Sequence, residues 1–243
     1  MSGILTAYYG GAYATLVLDI TGKASPNIPS LLSAAGWVGV AQPVRIVNTG
    51  LLNTLVLPSS LAGASLYVFL GAASLTGGVK SGGTAIRTQV PVTIERLGKI
   101  YGGGGKGGDG GASWAAYDPP TYTYAYAGAA GGAGGAGQGF DSASALTISD
   151  AAAAGPASTN TVTGSDGFGG GAKVTTVEGG VGGSGGAWGV AGSAGGTGGW
   201  SGDAPSRSGQ DVGYAGGLAG YYIDGNDLVT WVGAGDCRGR VKA

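Results

Sequence analysis

The chain has 243 residues, 57 of them glycine and nine proline, more than a quarter of the whole. In ordinary helix and strand interiors that much glycine would cost about 30 to 60 kcal/mol relative to alanine, which excludes a conventional close-packed domain. Only 10% of residues are charged and 43% are hydrophobic, a balance that favours collapse over disorder, while a net charge of -1 and the lack of histidine exclude a basic nucleic-acid face and the Ser-His and Cys-His catalytic pairs.

The opening MSGILTAYYGG has neither a basic region nor a long apolar core, so no secretory signal is expected. Up to about Gly98 the chain reads as a β-rich module, with YATLVLDI, VRIVN, LLNTLVL, SLYVFL and VTIERL as short apolar or β-branched runs between Gly, Pro, Asn and Ser. One short helix is expected between the first two, capped by Asn27 and stopped at Gly36. The charge-free stretch from Arg45 to Lys80 is long enough to span a membrane, but Asn48, Asn53, Pro58 and Gly63 break it into strands.

From Tyr101 a period of three takes over. Lys106 and Asp109 are spaced by three in GGGGKGGDGG, Gly128, Gly131, Gly134 and Gly137 keep the spacing, and Gly180 to Gly198 hold it over seven consecutive glycines. That is the repeat of a polyproline-II-type helix, which glycine adopts without proline. Such a helix has no internal hydrogen bonds, so buried copies must bundle and bond laterally, with glycine as the packing residue. The rod bearing Lys106 and Asp109 is expected on the outside and GAAGGAGGAG in the middle. The run 180–198 would extend about 59 Å unbroken, against a radius of gyration of about 18 Å for a compact chain, and is expected to reverse near Trp188.

Insertions between rigid rods are where recognition is expected. SWAAYDPPTYTYAYA gathers Trp114, Tyr117, Tyr122, Tyr124 and Tyr126. Alternation at 122, 124 and 126 puts three rings on one side of an extended segment, and Tyr with Trp gives rigid amphipathic contact area at little entropic cost. The competing reading has these rings cap the bundle. Residues 140–168, rich in Ser, Thr and Ala, and 200–212, with Trp200, Asp203, Arg207 and Asp211, are further insertions. Trp188 is either an anchor or a filler between layers. The acid pairs Asp203 with Asp211 and Asp224 with Asp227 lack diagnostic spacing, and DGND at 224–227 reads as a hairpin turn. No phosphate loop, metal-ligand cluster or cofactor motif is present, and Cys237 reads as a small residue in the last strand region.

AGWVGVAQPVRIVNTG at 35–50, RLGKIYGGGGKGGDGG at 96–111, the later glycine blocks separated by aromatic or Ser/Thr-rich insertions, and the closing DLVTWVGAGDCRGRV at 227–241 together resemble the glycine-rich adhesins of phage tail-fibre tips, including those of T-even-type long tail fibres. The resemblance implies a mainly β and irregular fold: a β-rich attachment domain over residues 1–98, then a sandwich of parallel-running polyglycine-II helices with distal loops over 99–243. It implies a non-enzymatic receptor-binding protein without a cofactor, in the virion at a distal tail fibre or tail tip. The N-terminal part would fasten to a tail-fibre or tail protein, and segments 112–127, 187–188, 200–212 and part of 140–166 would touch a bacterial surface receptor, protein or glycan. Trp114, Tyr117, Tyr122, Tyr124, Tyr126, Trp188, Trp200 and Arg207 are the receptor-binding candidates, with neither nucleic acid nor membrane insertion involved. The rival readings are a purely structural tail or baseplate component and an ice-binding protein. A two-acid glycan hydrolase ranks below both.

Overall fold

The structure, a computed structural model, describes residues 14–117, 125–165 and 171–243. Among the described residues the first hundred form β1 (Leu16–Asp19), β2 (Lys23–Ala24), α1 (Ile28–Ala34), β3 (Val44–Asn48), β4 (Leu51–Asn53), β5 (Leu55–Leu57), β6 (Leu66–Leu70), β7 (Leu75–Gly77), β8 (Ile86–Thr88), β9 (Val92–Arg96) and β10 (Lys99–Tyr101). The helix forms as its sequence predicts. Asn27 accepts the Ser30 N–H at 3.0 Å, Pro29 sits in the first turn, and Gly36 takes φ +79° just beyond the last turn. The strands pair only in parallel, each with the strand one coil further on: β1, β3, β6 and β9 line one side, β2, β4, β7 and β10 the second, β5 and β8 the third. The chain therefore winds as a three-sided solenoid.

After β10 come six extended stretches without helix or strand among the described residues, at 102–112, 130–138, 150–158, 179–187, 190–198 and 211–220, here rods 1 to 6. β11 (Ser113–Tyr117) and β12 (Ala125–Ala129) follow rod 1, and β13 (Gly139–Phe140) and β14 (Ile148–Ser149) follow rod 2. β15 (Thr159–Ser165) and β16 (Ala172–Glu178) follow rod 3, and β17 (Gly199–Gly202) and β18 (Arg207–Gln210) follow rod 5. Rods 4 and 5 are joined by a tight turn in which Val190 N–H returns to the Ala187 carbonyl, so the long glycine run does reverse at Trp188.

The rods bond to one another at every third residue. Gly104, Gly107 and Gly110 of rod 1 donate to Gln138, Gly135 and Gly132 of rod 2, while Gly105, Gly108 and Gly111 donate to Val190, Ser193 and Gly196 of rod 5. Gly180, Gly183 and Gly186 of rod 4 donate to rod 1, as do Asp211, Tyr214 and Gly217 of rod 6. Rod 3 bonds rods 2 and 4 through Ala152 to Ala136, Gly155 to Ala133, Gly182 to Gly155 and Gly185 to Ala152. Rod 2 also donates to rod 4, the N–H groups of Gly132, Gly135 and Gln138 reaching the Gly180, Gly183 and Gly186 carbonyls, and rod 5 donates to rod 6 from Gly195 to Tyr214. These bonds define two layers, rods 3-4-5 on rods 2-1-6, the lateral lattice of a polyglycine-II sandwich.

Three expectations change here. The rods do not all run one way: successive rods alternate in direction, and only rods 1 with 5 and 2 with 4 are parallel neighbours. Rod 1, with Lys106 and Asp109, is central in its layer and not outer, and the alanine-bearing rod 2 stands at the layer's end. In a two-layer sandwich every rod keeps one facet open to solvent, so a charge at the third position is compatible with a central place. A central place demands glycine on both other facets, which rod 1 supplies, although rod 2 at the layer's end repeats the pattern. A Cβ at Gly104 would run into the Gly186 carbonyl of rod 4, and one at Gly105 into the Gly217 carbonyl of rod 6.

The chain then returns to the solenoid. β19 (Tyr221–Asp224) pairs with β8, and β20 (Val229–Val232), β21 (Asp236–Arg238) and β22 (Arg240–Lys242) add to β9, β10 and β19. β19 thus completes the fourth coil that β9 and β10 began, and residues 102–220 are one insertion within that coil. The expected second region, 99–243, accordingly ends at residue 220, and the last strands belong to the first module. DGND is a turn, with Gly225 at φ +100°, but it links two sides of the solenoid and not a hairpin. Inside the solenoid Leu18, Ile46, Val68, Ile94 and Trp231 stack in register, and Leu55, Ile86 and Ile223 stack on the third side. Cys237 lies half-buried in β21 beside this core, where burial pushes its thiol up.

Candidate functional site at the distal end of the bundle

Alternating rods sort the connections by end. The links 139–149 and 188–189 lie at the root, against the solenoid: Asn53 donates to the Ser142 and Ala145 carbonyls at 2.7 and 2.8 Å, Ser25 donates to Ala143 at 2.8 Å, and Lys80 pairs with Asp141 at 3.0 Å. β11–β12, β15–β16 and β17–β18 lie at the other end, a rod length of about 30 Å away. Of the expected recognition segments, the described residues of 112–127 and of 200–212 are therefore distal, 187–188 is at the root, and the described residues of 140–166 are split between the two ends.

Trp188 shows what the root position means. It is 8% exposed, its ring 5.9 Å from both Tyr101 and Phe140, and its backbone N–H donates to the Gln138 side-chain oxygen at 3.1 Å. The neighbouring Gly189 has φ +70°, and a Cβ there would strike the backbone of Arg238 and Gly239, so the turn is pressed onto the solenoid. Trp188 fills the joint between modules. In the same joint Tyr101 donates to Asp236; burial, then that bond, pushes the phenol up to about 12, while Tyr101 and then Arg238 hold the Asp236 carboxyl below its usual range.

The distal end is a small double sheet. β12-β11-β18 and β15-β16-β17, both antiparallel, enclose Ala115, Tyr117, Ala127, Ala129, Val162 and Val177. Tyr117 is the hub. It is 5% exposed; its hydroxyl meets Thr175 Oγ1 at 2.6 Å and donates to the Asp203 carbonyl at 3.3 Å, and its ring occupies the space a Cβ on Gly164 would need. One phenol thus ties together the connections that follow rods 1, 3 and 5. Asp203 is engaged further, its carboxylate accepting the Val174 N–H at 2.8 Å. Asp224 lies between Arg87 and Lys242, each at 3.1 Å. Both acids therefore have structural partners, and among the described residues no group of three His, Cys, Asp or Glu converges.

The outer face of the β12-β11-β18 sheet is different. In register, Trp114 lies between Gly128 and Gly209, and Ala116 lies between Tyr126 and Arg207. Side chains directly opposite in a ladder share a face, so Trp114, Tyr126 and Arg207, far apart in sequence, come together. Trp114 is 37% and Tyr126 58% exposed, their centroids 6.2 Å apart at an interplanar angle of 27°. Ala116 beneath them is fully buried. Trp200 is 41% exposed at the edge strand β17, opposite Val177. Tyr122 and Tyr124 lie outside the described residues. Sequence reasoning singled out these aromatics but missed Thr175 and Gly209, and it counted Gly128 with the period-three glycines, whereas Gly128 lies in β12 and Gly164 in β15, strands and not rods.

The chain thus carries a compact antiparallel β tip at one end of a glycine-rod bundle and a parallel β module at the other. The chain belongs to the phage tail fibre adhesin Gp38 family, whose model matches residues 15–242. It is thus a virion protein of the tail fibre, and its work is adhesion. No curated protein matches it. Among solved structures it is similar to the crystal structure of the gp37–gp38 adhesin tip complex of the bacteriophage S16 long tail fiber, at 20% identity and a TM-score of 0.43, with 92% of this chain and 80% of that chain covered.

Proposed function

We propose that this adhesin recognises a bacterial surface receptor through its distal double sheet, with Trp114, Tyr126, Arg207 and Trp200 in contact and Tyr117 holding the surface together, while the solenoid fastens it to another tail-fibre protein. The observation that carries the reading is the exposed Trp114–Tyr126 pair over a fully buried Ala116, at the end of the insertion remote from the solenoid. Preorganisation supplies the energetic logic: a tip fixed by a dense backbone lattice loses little freedom on binding. Catalysis and cofactors have no part in it. The test is adsorption to susceptible cells by full-length protein with Trp114→Ala plus Tyr126→Ala, and separately with Tyr122, Tyr124 and Tyr126 replaced by alanine. Loss of adsorption with an unchanged melting temperature is the expected outcome. Full adsorption by both variants would move the contact elsewhere.

A further inference from the structure

We infer that the outer face of the β12-β11-β18 sheet is a carbohydrate platform: Trp114 and Tyr126 receive the flat C–H face of a pyranose ring. The inference rests on the tip reading above and adds the chemical class of the receptor group.

The geometry that points to a sugar is the posture of the rings. Trp114 lies down over Gly209, where a Cβ would strike its indole nitrogen and ring carbons, and Tyr126 leans onto Gly128, with its hydroxyl 3.0 Å from the place a Cβ would take. At 27° and 6.2 Å the two rings stack nearly parallel at this surface. Among the described residues, the ladder neighbours Gly128, Gly209 and Ala116 carry nothing larger than a methyl group beside the rings. Protein anchors work the opposite way, with an upright side chain filling a pocket on the partner. An aromatic face carries negative potential, and the row of C–H bonds on one side of a pyranose is its positive complement, so a flat ring laid on a flat ring uses the whole exposed area. Arg207 shares that face next to Ala116.

The experiment uses full-length protein and susceptible host cells treated either with periodate, which opens sugar rings bearing vicinal diols, or with protease, which removes exposed protein loops. Periodate is expected to cut binding at least about tenfold, protease to leave it within about twofold, and lipopolysaccharide polysaccharide from the same cells to compete. Binding that survives periodate overturns the carbohydrate assignment, whatever protease does, and leaves the tip reading intact. Wild-type binding to untreated cells by Trp114→Ala plus Tyr126→Ala overturns the platform itself. Gly209→Ala, which lifts the indole off its floor without removing a ring, is expected to weaken polysaccharide competition by about tenfold at unchanged melting temperature, and an unchanged competition curve counts against the ring posture argued here.

Discussion

The solenoid and the glycine bundle solve one problem in opposite ways. In the solenoid, backbone ladders run around the outside and side chains such as Ile46, Val68 and Ile94 fill the middle. In the bundle the backbone is the interior, and side chains such as Lys106, Ala133 and Val181 are turned out. The first gains stability from apolar burial, which tolerates changes of shape. The second gains it from lateral hydrogen bonds, each worth about 0.5 to 1.5 kcal/mol net, which hold only while the chains touch. A methyl group should therefore be cheap to lose from the bundle's surface and ruinous to add to its interior.

That contrast is broken most directly at Gly107. Its Cβ would meet the Gly183 carbonyl of rod 4, a backbone atom that has no rotamer to escape into. Gly107→Val is expected to cost more than about 3 kcal/mol and to melt the bundle before the solenoid, visible as a second transition in calorimetry. Ile46→Ala, in the fully buried solenoid stack, should cost about 2 to 5 kcal/mol and lower the solenoid transition instead. A single cooperative shift in both variants would mean that the two modules do not melt separately. The control is Lys106→Ala, which removes only an exposed pair with Asp109 and should change stability by less than about 1 kcal/mol.

The sequence made this division legible only in part. Period three identified rods 1, 2, 4 and 5, and the runs before Gly98 identified the solenoid strands, because each pattern is local. Rod 3, with Ala151 to Ala154, was hidden: with only two neighbouring rods it can carry alanine where central rods must carry glycine. The solenoid was hidden for a different reason. Its coils are of unequal length, a helix stands in the first, and the fourth is interrupted by the entire bundle, so no fixed period survives. At the tip, composition drew attention to Trp114, Tyr117 and Tyr126 alike. Which ring is buried depends on strand register, and Tyr117 falls on the same face as Ala115 while Trp114 falls on the other.

Tyr117 sharpens the comparison at the tip, where a side-chain core reappears. Tyr117→Phe keeps the ring against Gly164 but leaves Thr175 and the Asp203 carbonyl without the hydroxyl. The expected cost is about 1 to 2 kcal/mol, confined to the tip, with faster amide exchange in β16 and β18 and unchanged protection in the rods. Adsorption should weaken without any exposed residue having changed. Undisturbed exchange in all three connections would show that packing alone holds them.

The smallest effect expected is electrostatic, and it tests the joint between the two regions. Ser149 and then Lys80 hold the Asp141 carboxyl below its usual range, and Asp141 sits in the root loop that Asn53 and Ser25 grip from the solenoid. A carboxyl depressed in the folded state contributes stability that is present above its unfolded value of about 3.9 and is lost as pH falls through the folded one. Asp109, lowered first by the Gly134 N–H and then by Lys106, behaves alike between rods 1 and 2. The melting temperature should therefore decline below about pH 4, with Asp141→Asn giving a lower value at neutral pH and a shallower decline. Tyr101, raised to about 12, works at the other extreme: its stabilisation of the joint is present below the unfolded value of about 10 and is lost as pH rises toward 12. Absorbance titration should show a late phenol, Tyr101, ionising near pH 12 together with separation of root from solenoid, apart from Tyr67, which its bond to Glu95 also raises. If that late phenol persists in Asp236→Asn, burial beside Trp188 alone accounts for it, and the bond across the joint contributes little.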